Sequence, residues 1–279
     1  MRRHRMRPAR PFFATAICLL AAAACTGTAA TPSSEAIVTT APATSAPAPS
    51  PAPTTGPTPT LPTPERDPAA YVEGAAYTVT IDPADFVPVV DNPYWPLVPG
   101  TITVFEGDGE RIVVEVTDYS KVILGVPTTV VRDTAYAKGK VIEDTFDWYA
   151  QDRAGNVWYF GEDTTEYENG KPVSTAGTWT AGVDGALPGI VMLADPQVDD
   201  VYHNEFYAGE AEDLSKVIEL GGTIDVPAGA FAETIVTEDW TPLEPTQREH
   251  KTYAPGVGVV AEGPLEEPTV VQLVEVRRP

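Results

Sequence analysis

Carboxylates crowd one stretch of this chain: Glu143, Asp144, Asp147, Asp152, Glu162, Asp163, Glu166 and Glu168. Carboxyl pairs facing one cleft can hydrolyse glycans by acid–base chemistry, and hard oxygen ligands suit calcium. If Val141–Gln151 is a strand, alternation puts Glu143, Thr145, Asp147, Tyr149 and Gln151 on one face. Ile142, Asp144, Phe146, Trp148 and Ala150 then share the other face. Asp144 interrupts that otherwise apolar face. A buried carboxylate must be paired or hydrogen-bonded, so Asp144 is a candidate. It is either a general acid with a raised pKa or, the commoner outcome, the partner of an arginine or of backbone amides. Asp152, Asn156 and the Glu162-Asp163 pair offer oxygens to calcium, but their spacing fits no EF-hand loop.

Aromatic residues form the second signal. Tyr149 and Trp148 precede a five-residue turn, and Trp158, Tyr159 and Phe160 follow it. One alternating set packs a core. The other, with Trp148, Trp158 and Phe160, is a candidate ligand surface of aromatic walls and few polar groups. Tyr94 and Trp95 sit between Pro93 and Pro96, placed to stack on a sugar or to staple the first strand onto a sheet. Other catalytic devices are missing. His203 and His250 form no zinc motif, Ser120, Ser174 and Ser215 lie in no nucleophile elbow, and no glycine loop suits a phosphate. No catalytic or metal-ligating residue is assigned, no cofactor is expected beyond an optional calcium, and the balance leans away from an enzyme.

The elements that must position these residues are strands. Thr101–Phe105, Arg111–Val116, Val130–Ala137, Val141–Gln151 and Val157–Phe160 are β-branched or aromatic and separated by turn residues. Asn169-Gly170 is a type I′ hairpin signal. Gly221-Gly222 is expected to separate Lys216–Leu220 from Thr223–Val226, and four further strands end the chain. Helical periodicity is nearly absent, apart from one short turn at 209–214. Consecutive hairpins predict an all-β fold, a curved antiparallel meander sheet or half-barrel.

The first 24 residues predict the compartment. Five arginines precede an apolar run from Phe12 to Ala24 that is too short to span a bilayer, which needs about 20 residues. Ala22-Ala23-Ala24 then leads into Cys25, the pattern of a secretory signal peptide. Cys25 at the first mature position looks like the lipobox of bacterial lipoproteins, although Ala22 stands where that family has leucine. The resemblance implies a diacylglyceryl group, with palmitate-type chains, on the Cys25 sulfur. The protein would then be extracytoplasmic and anchored to the cell membrane; ordinary cleavage after Ala24 or Ala30 would instead release it. Cys18 leaves with the signal, so no thiol remains for a disulfide, a nucleophile or a metal.

Residues 25–68 form the anchor and a linker, with 11 prolines among Ala, Thr and Ser from residue 26 onward. Such a segment is too poor in apolar residues to fold, and in polyproline II it reaches up to about 130 Å. Residues 69–279 then form a single β-rich domain. Removing the five signal arginines leaves 13 Lys+Arg against 40 Asp+Glu, a formal charge of −27. That surface repels nucleic acid and anionic headgroups and suits cations or basic partners.

Three blocks carry a wider resemblance. Asp91-Asn-Pro-Tyr-Trp-Pro-Leu-Val-Pro-Gly100 opens the domain, Trp148–Gln151 with Gly155–Glu162 fills its centre, and Val226–Phe231 with Tyr253–Val260 closes it. Together they resemble a group of uncharacterised exported bacterial lipoproteins, and by analogy the half-barrels of lipoprotein carriers. No activity is carried over from that resemblance; the anchor, the linker, the meander and the missing catalytic constellations lead instead to the expectation of a surface-tethered, non-enzymatic binding or envelope-maintenance role, with a lipid, glycan or peptide as ligand. A carboxylate-based cell-wall glycan hydrolase and a calcium-binding or structural surface protein are the alternatives. The sequence names no oligomeric state.

Overall fold

The computed structural model describes residues 67–279; the expected signal peptide, the expected anchor Cys25 and the expected linker as far as residue 66 lie outside them. Sixteen strands follow one 3-10 turn at Pro83–Asp85. The first eight are β1 (Phe86–Val87), β2 (Ile102–Gly107), β3 (Glu110–Ile123), β4 (Val126–Ala137), β5 (Lys140–Asp152), β6 (Val157–Glu168), β7 (Lys171–Ser174) and β8 (Trp179–Thr180). The others are β9 (Leu187–Met192), β10 (Val201–His203), β11 (Glu205–Phe206), β12 (Leu214–Val226), β13 (Gly229–Trp240), β14 (Arg248–Ala254), β15 (Gly258–Pro264) and β16 (Val271–Arg277).

All pairings are antiparallel, and the main path runs β10-β12-β13-β14-β15-β16-β2-β3-β4-β5-β6-β9-β11. The curved meander expected from the sequence is therefore present, and it is nearly closed. Closure comes from one short segment. Only Asn204 separates β10 from β11, yet β10 pairs with β12 at one end of the sheet and β11 pairs with β9 at the other. The expected break at Gly221-Gly222 is not a turn. Both glycines lie inside β12, which runs through them with shifts of register against β13 and turns only at Pro227-Ala228. Glycines there let the strand bend, as bulges do in curved sheets.

The seam depends on Gly189 of β9. A Cβ placed there would stand 2.3 Å from the Asn204 carbonyl carbon and 2.5 Å from the His203 carbonyl oxygen. Gly189→Ala must open the closure, at a cost on the order of 1–3 kcal/mol. For a domain of this size that lowers the melting temperature by roughly 3–10 °C. A melting scan of the variant reads this directly, and an unchanged midpoint would mean that the seam does not hold the barrel.

Outside the sheet, residues 69–90 lie over β5, β6, β9 and β10. Phe86 meets the rings of Trp158 and Phe160 edge-on at 6.2 and 5.6 Å, and the Tyr77 hydroxyl donates to Pro188 O at 2.7 Å. This aromatic layer covers the outer face, while the inner face carries both apolar residues, such as Val116, Val131, Val217 and Ile235, and acids.

Candidate functional site

Directly opposed residues of an antiparallel pair share a face of the sheet. Following that rule round the barrel gives one continuous set. Val217 faces Thr237, which faces Lys251, then Glu262, then Val271. Two residues on, Leu273 faces Phe105, then Ile112, then Ala135, then Glu143, then Glu166. The same face carries Asp133 with Thr145, and Asp147 with Glu162. It also carries Tyr202 with Ser215, Asp239 and Glu249.

This face is the interior. Glu262 on β15 is raised in pKa first by burial and then by Glu249, and Asp133 on β4, several strands away round the sheet, adds to the rise, so the two side chains approach each other inside the sheet. Asp147 on β5 likewise feels Glu205 on β11. The wall formed by β16, β2 and β3 is apolar, with Val271, Leu273, Phe105 and Ile112. The remaining wall mixes acids with buried apolar and aromatic residues, among them Val131, Val217, Ile235, Tyr149 and Tyr253.

Seven interior acids are pushed toward the neutral form, in each case chiefly by burial; neighbouring carboxylates add to it, and Lys251 opposes it at Asp213, Glu249, Glu262 and Glu205. They are Asp133, Asp147, Glu162, Glu205, Glu249 and Glu262, together with Asp213, whose pKa rises to about 7. Lys251 is the only buried lysine or arginine among the described residues. Its ammonium sits 3.2 Å from Asp239 Oδ2 and 3.2 Å from Glu249 Oε1. Burial alone would lower its pKa, but Glu249 and Asp239 outweigh burial and hold it well above its usual value. Asp239 also accepts from Ser215 Oγ at 2.6 Å, and Ser215 accepts from Asn204 Nδ2 at 2.8 Å. The seam segment thus holds one end of the acid network.

The other acids have less support. Asp147 is 1% exposed; its Oδ1 accepts from the Tyr159 hydroxyl at 3.0 Å, while its Oδ2 has no hydrogen-bond partner. Glu262 is 2% exposed and neither of its oxygens has one. Thr237 Oγ1, fully buried two positions from Asp239, is also unpartnered. A buried polar atom left this way costs about 1–3 kcal/mol, and more when charged. Such an arrangement is expensive for a core.

One end of the interior is closed by aromatics. Trp95 lies 5.5 Å from Tyr149 and 6.0 Å from Tyr253, and Tyr149 stacks on Tyr159 at 5.1 Å. Gln151 fixes this plug. Its Oε1 accepts from the amides of Asp91 and Asn92, and its Nε2 donates to Asp91 Oδ1. Asn92 Nδ2 donates to Gly155 O and Leu193 O, and the Tyr94 hydroxyl donates to Glu233 O. Of the two roles open to Tyr94 and Trp95, the geometry matches the staple.

The other sequence candidates lie on the outer face. Asp144 takes a two-pronged ion pair from Arg132, at 2.8 and 3.0 Å, and a hydrogen bond from Thr134. Trp148 lies under the Lys121 ammonium, 3.1 Å from the ring centre. Trp158 and Phe160 are covered by Phe86, and the Trp158 indole donates to Asp152 Oδ2. The structure therefore brings Trp148, Trp158 and Phe160 to one face but leaves them no open groove. Asp152 is committed to its own turn, accepting from Gly155 N, Asn156 N and Asn156 Nδ2. Glu162 points inward while its neighbour Asp163 is exposed, so the pair cannot share one ion. Among the described residues no three His, Cys, Asp or Glu side chains converge to hold a metal ion. Searches against family models, curated proteins and solved structures found no match to this chain.

Proposed function

We propose that the protein is a lipid-anchored extracytoplasmic binding protein without catalytic activity, and that the barrel interior is its ligand chamber. The observation that carries this reading is Glu262, buried with both oxygens unpartnered among other carboxyls. The signal that ends at Ala24 just before Cys25, the proline-rich linker and the membership proposed for the exported lipoprotein group support the tether. Of the three ligand classes, the acid wall disfavours an acyl chain, which would leave those carboxyls desolvated and unpaired. A glycan or a peptide can hydrogen-bond to them. The hydrolase alternative gains less support. Its chemistry needs two carboxyls whose environments drive their pKa values apart, and here seven move in the same direction.

One measurement tests both halves. Native mass spectrometry of the full chain, extracted from its host membrane in detergent, is expected to show a diacylglyceryl-sized mass on Cys25 and a second, non-covalent mass. Cys25→Ala loses the first and keeps the second. A chain that carries neither, and that hydrolyses cell-wall glycan, would sink the reading.

A further inference from the structure

We infer that the protein carries a separate site, on the outside of the barrel, that binds an acidic glycan: a chain of sugars bearing carboxylate or phosphate groups. The site is a furrow on the outer face, at the end of the sheet where the β2–β3, β4–β5 and β6–β7 hairpins turn. Two clefts form it, of about 570 and 340 Å³, and Tyr136 of β4 lines both. Tyr167 of β6 lines the larger cleft together with Thr134 and the Arg132–Asp144 ion pair. Each tyrosine stands at a shift of register, Tyr136 against β5 and Tyr167 against β7. Such irregularities re-aim side chains and gather beside binding sites.

Charge gives the ligand its sign. Beyond residue 66 the chain carries 12 of its 18 Lys and Arg and 38 of its 40 Asp and Glu. The two clefts reverse that ratio: Arg111, Arg132, Lys138 and Lys140 line them, against Glu110 and Asp144. Asp144 is already neutralised by its two-pronged pair with Arg132. Lys138 and Lys140 enter no ion pair among the described residues. An acidic group is the complement this furrow lacks. The acidic remainder of the surface repels an anion only at long range, and at 150 mM salt that field is screened beyond about 8 Å.

Two observations favour sugars over an acidic peptide. Strands β3, β4, β5 and β6 are each paired on both sides, so a peptide cannot join the floor of the furrow as an added strand. Val113 and Val141 are the only aliphatic side chains lining the clefts, too few to seat the apolar anchors of a peptide. A sugar ring fits better. Its C–H face lies flat on tyrosine, and its hydroxyls meet the fixed donors and acceptors of Arg132, Asp144 and Thr134. Three strand spacings, about 14 Å in all, separate β3 from β6, so the furrow takes more than one ring.

The test titrates the full chain in detergent, at about 150 mM salt, with tetragalacturonate and with phosphorylated maltotetraose. Calorimetry should show saturable binding, and the tighter of the two assigns the acidic group. Unmodified maltotetraose should bind about tenfold more weakly or worse, the value of a charge-assisted hydrogen bond, and tetraglutamate should not bind. Replacing both exposed lysines, Lys138→Gln with Lys140→Gln, should bring the acidic sugars down to the affinity of maltotetraose. Tyr136→Ala should weaken acidic and neutral sugars alike. Should Tyr136→Ala misfold, Tyr167→Ala takes its place. Lys216→Gln, on β12 and outside the furrow, should change nothing.

Three results would overturn the inference. Binding that never saturates, or that Lys216→Gln weakens as much as the double lysine variant, is surface attraction only. Maltotetraose bound as tightly as the acidic sugars removes the acidic group. Tetraglutamate bound as tightly removes the sugar and makes the furrow a site for acidic peptides. None of these results touches the barrel interior, whose role stands or falls on the native bound mass of the membrane-extracted chain.

Discussion

Acidification from pH 8 to about pH 5.5 is expected to stabilise the domain by several kcal/mol and to raise its melting temperature by about 10 °C. The sign follows from the interior acids. A carboxyl whose folded pKa is raised binds its proton more readily in the native state. Its stabilising contribution is fully present below the unfolded pKa and is lost as pH rises through the folded one. Seven interior acids are shifted this way, and for Asp213 the window runs from 3.8 to about 7. Each unit of pKa difference corresponds to about 1.4 kcal/mol. One group works in the opposite direction. Burial holds His203 at about 4, against 6.5 when free, so protonation of the unfolded chain costs stability as pH falls through that range. His203 therefore flattens the rise below pH 6.5, and one imidazole does not cancel seven carboxyls. Release of surface repulsion adds to the gain. Melting scans at half-unit intervals, at fixed ionic strength, give the profile. A midpoint that falls steadily below pH 7 would mean that the acids are charged and well paired in the native state.

The same acids show where the sequence was readable and where it was not. Strand content was legible because β-branched and aromatic runs alternate with turn residues, and Asn169-Gly170 adopts the positive φ angles its type demands, 53° and 74°. Lys138-Gly139, expected to turn Val130–Ala137 into Val141–Gln151, does so with the same pair of positive φ angles, 53° and 72°. Gly221-Gly222 misled because a glycine pair serves equally well to turn a strand or to bend one. The division of faces in Val141–Gln151 was legible, but not which face points inward. Apolar residues usually mark the inside, which put Asp144 in question rather than Asp147. Here a separate N-terminal segment covers the apolar outer face, and that placement depends on Phe86 and Tyr77, tens of residues away in the chain. Glu205, Asp239, Lys251 and Glu262 are scattered over strands that meet only when the sheet closes. Nothing local marks them. The one available signal was Lys251, a base flanked at alternate positions by Glu249 and Tyr253 in a run expected to be a strand.

Lys251→Met should be the most damaging single substitution in the chamber. Methionine keeps the length and apolar stem of lysine, so packing along the side chain survives and the lost element is the charge. Asp239 and Glu249 then stand buried without the cation 3.2 Å from each. Removing one partner of a buried ion pair typically costs 3–5 kcal/mol, because the other is left as an uncompensated charge. At pH 8 the expected loss in melting temperature is about 10 °C or more. The loss should shrink as pH falls, since the orphaned carboxyls can then take up protons and cease to be charges. It should also shrink when ammonium chloride is added at pH 8, since the ammonium ion is small enough for the vacated position beside the same oxygens. A neutral buried lysine would leave the variant as stable as the parent at every pH. A purely steric role would give a loss that neither acid nor ammonium repairs. Only an interior that requires positive charge gives a defect at high pH that both protons and ammonium relieve.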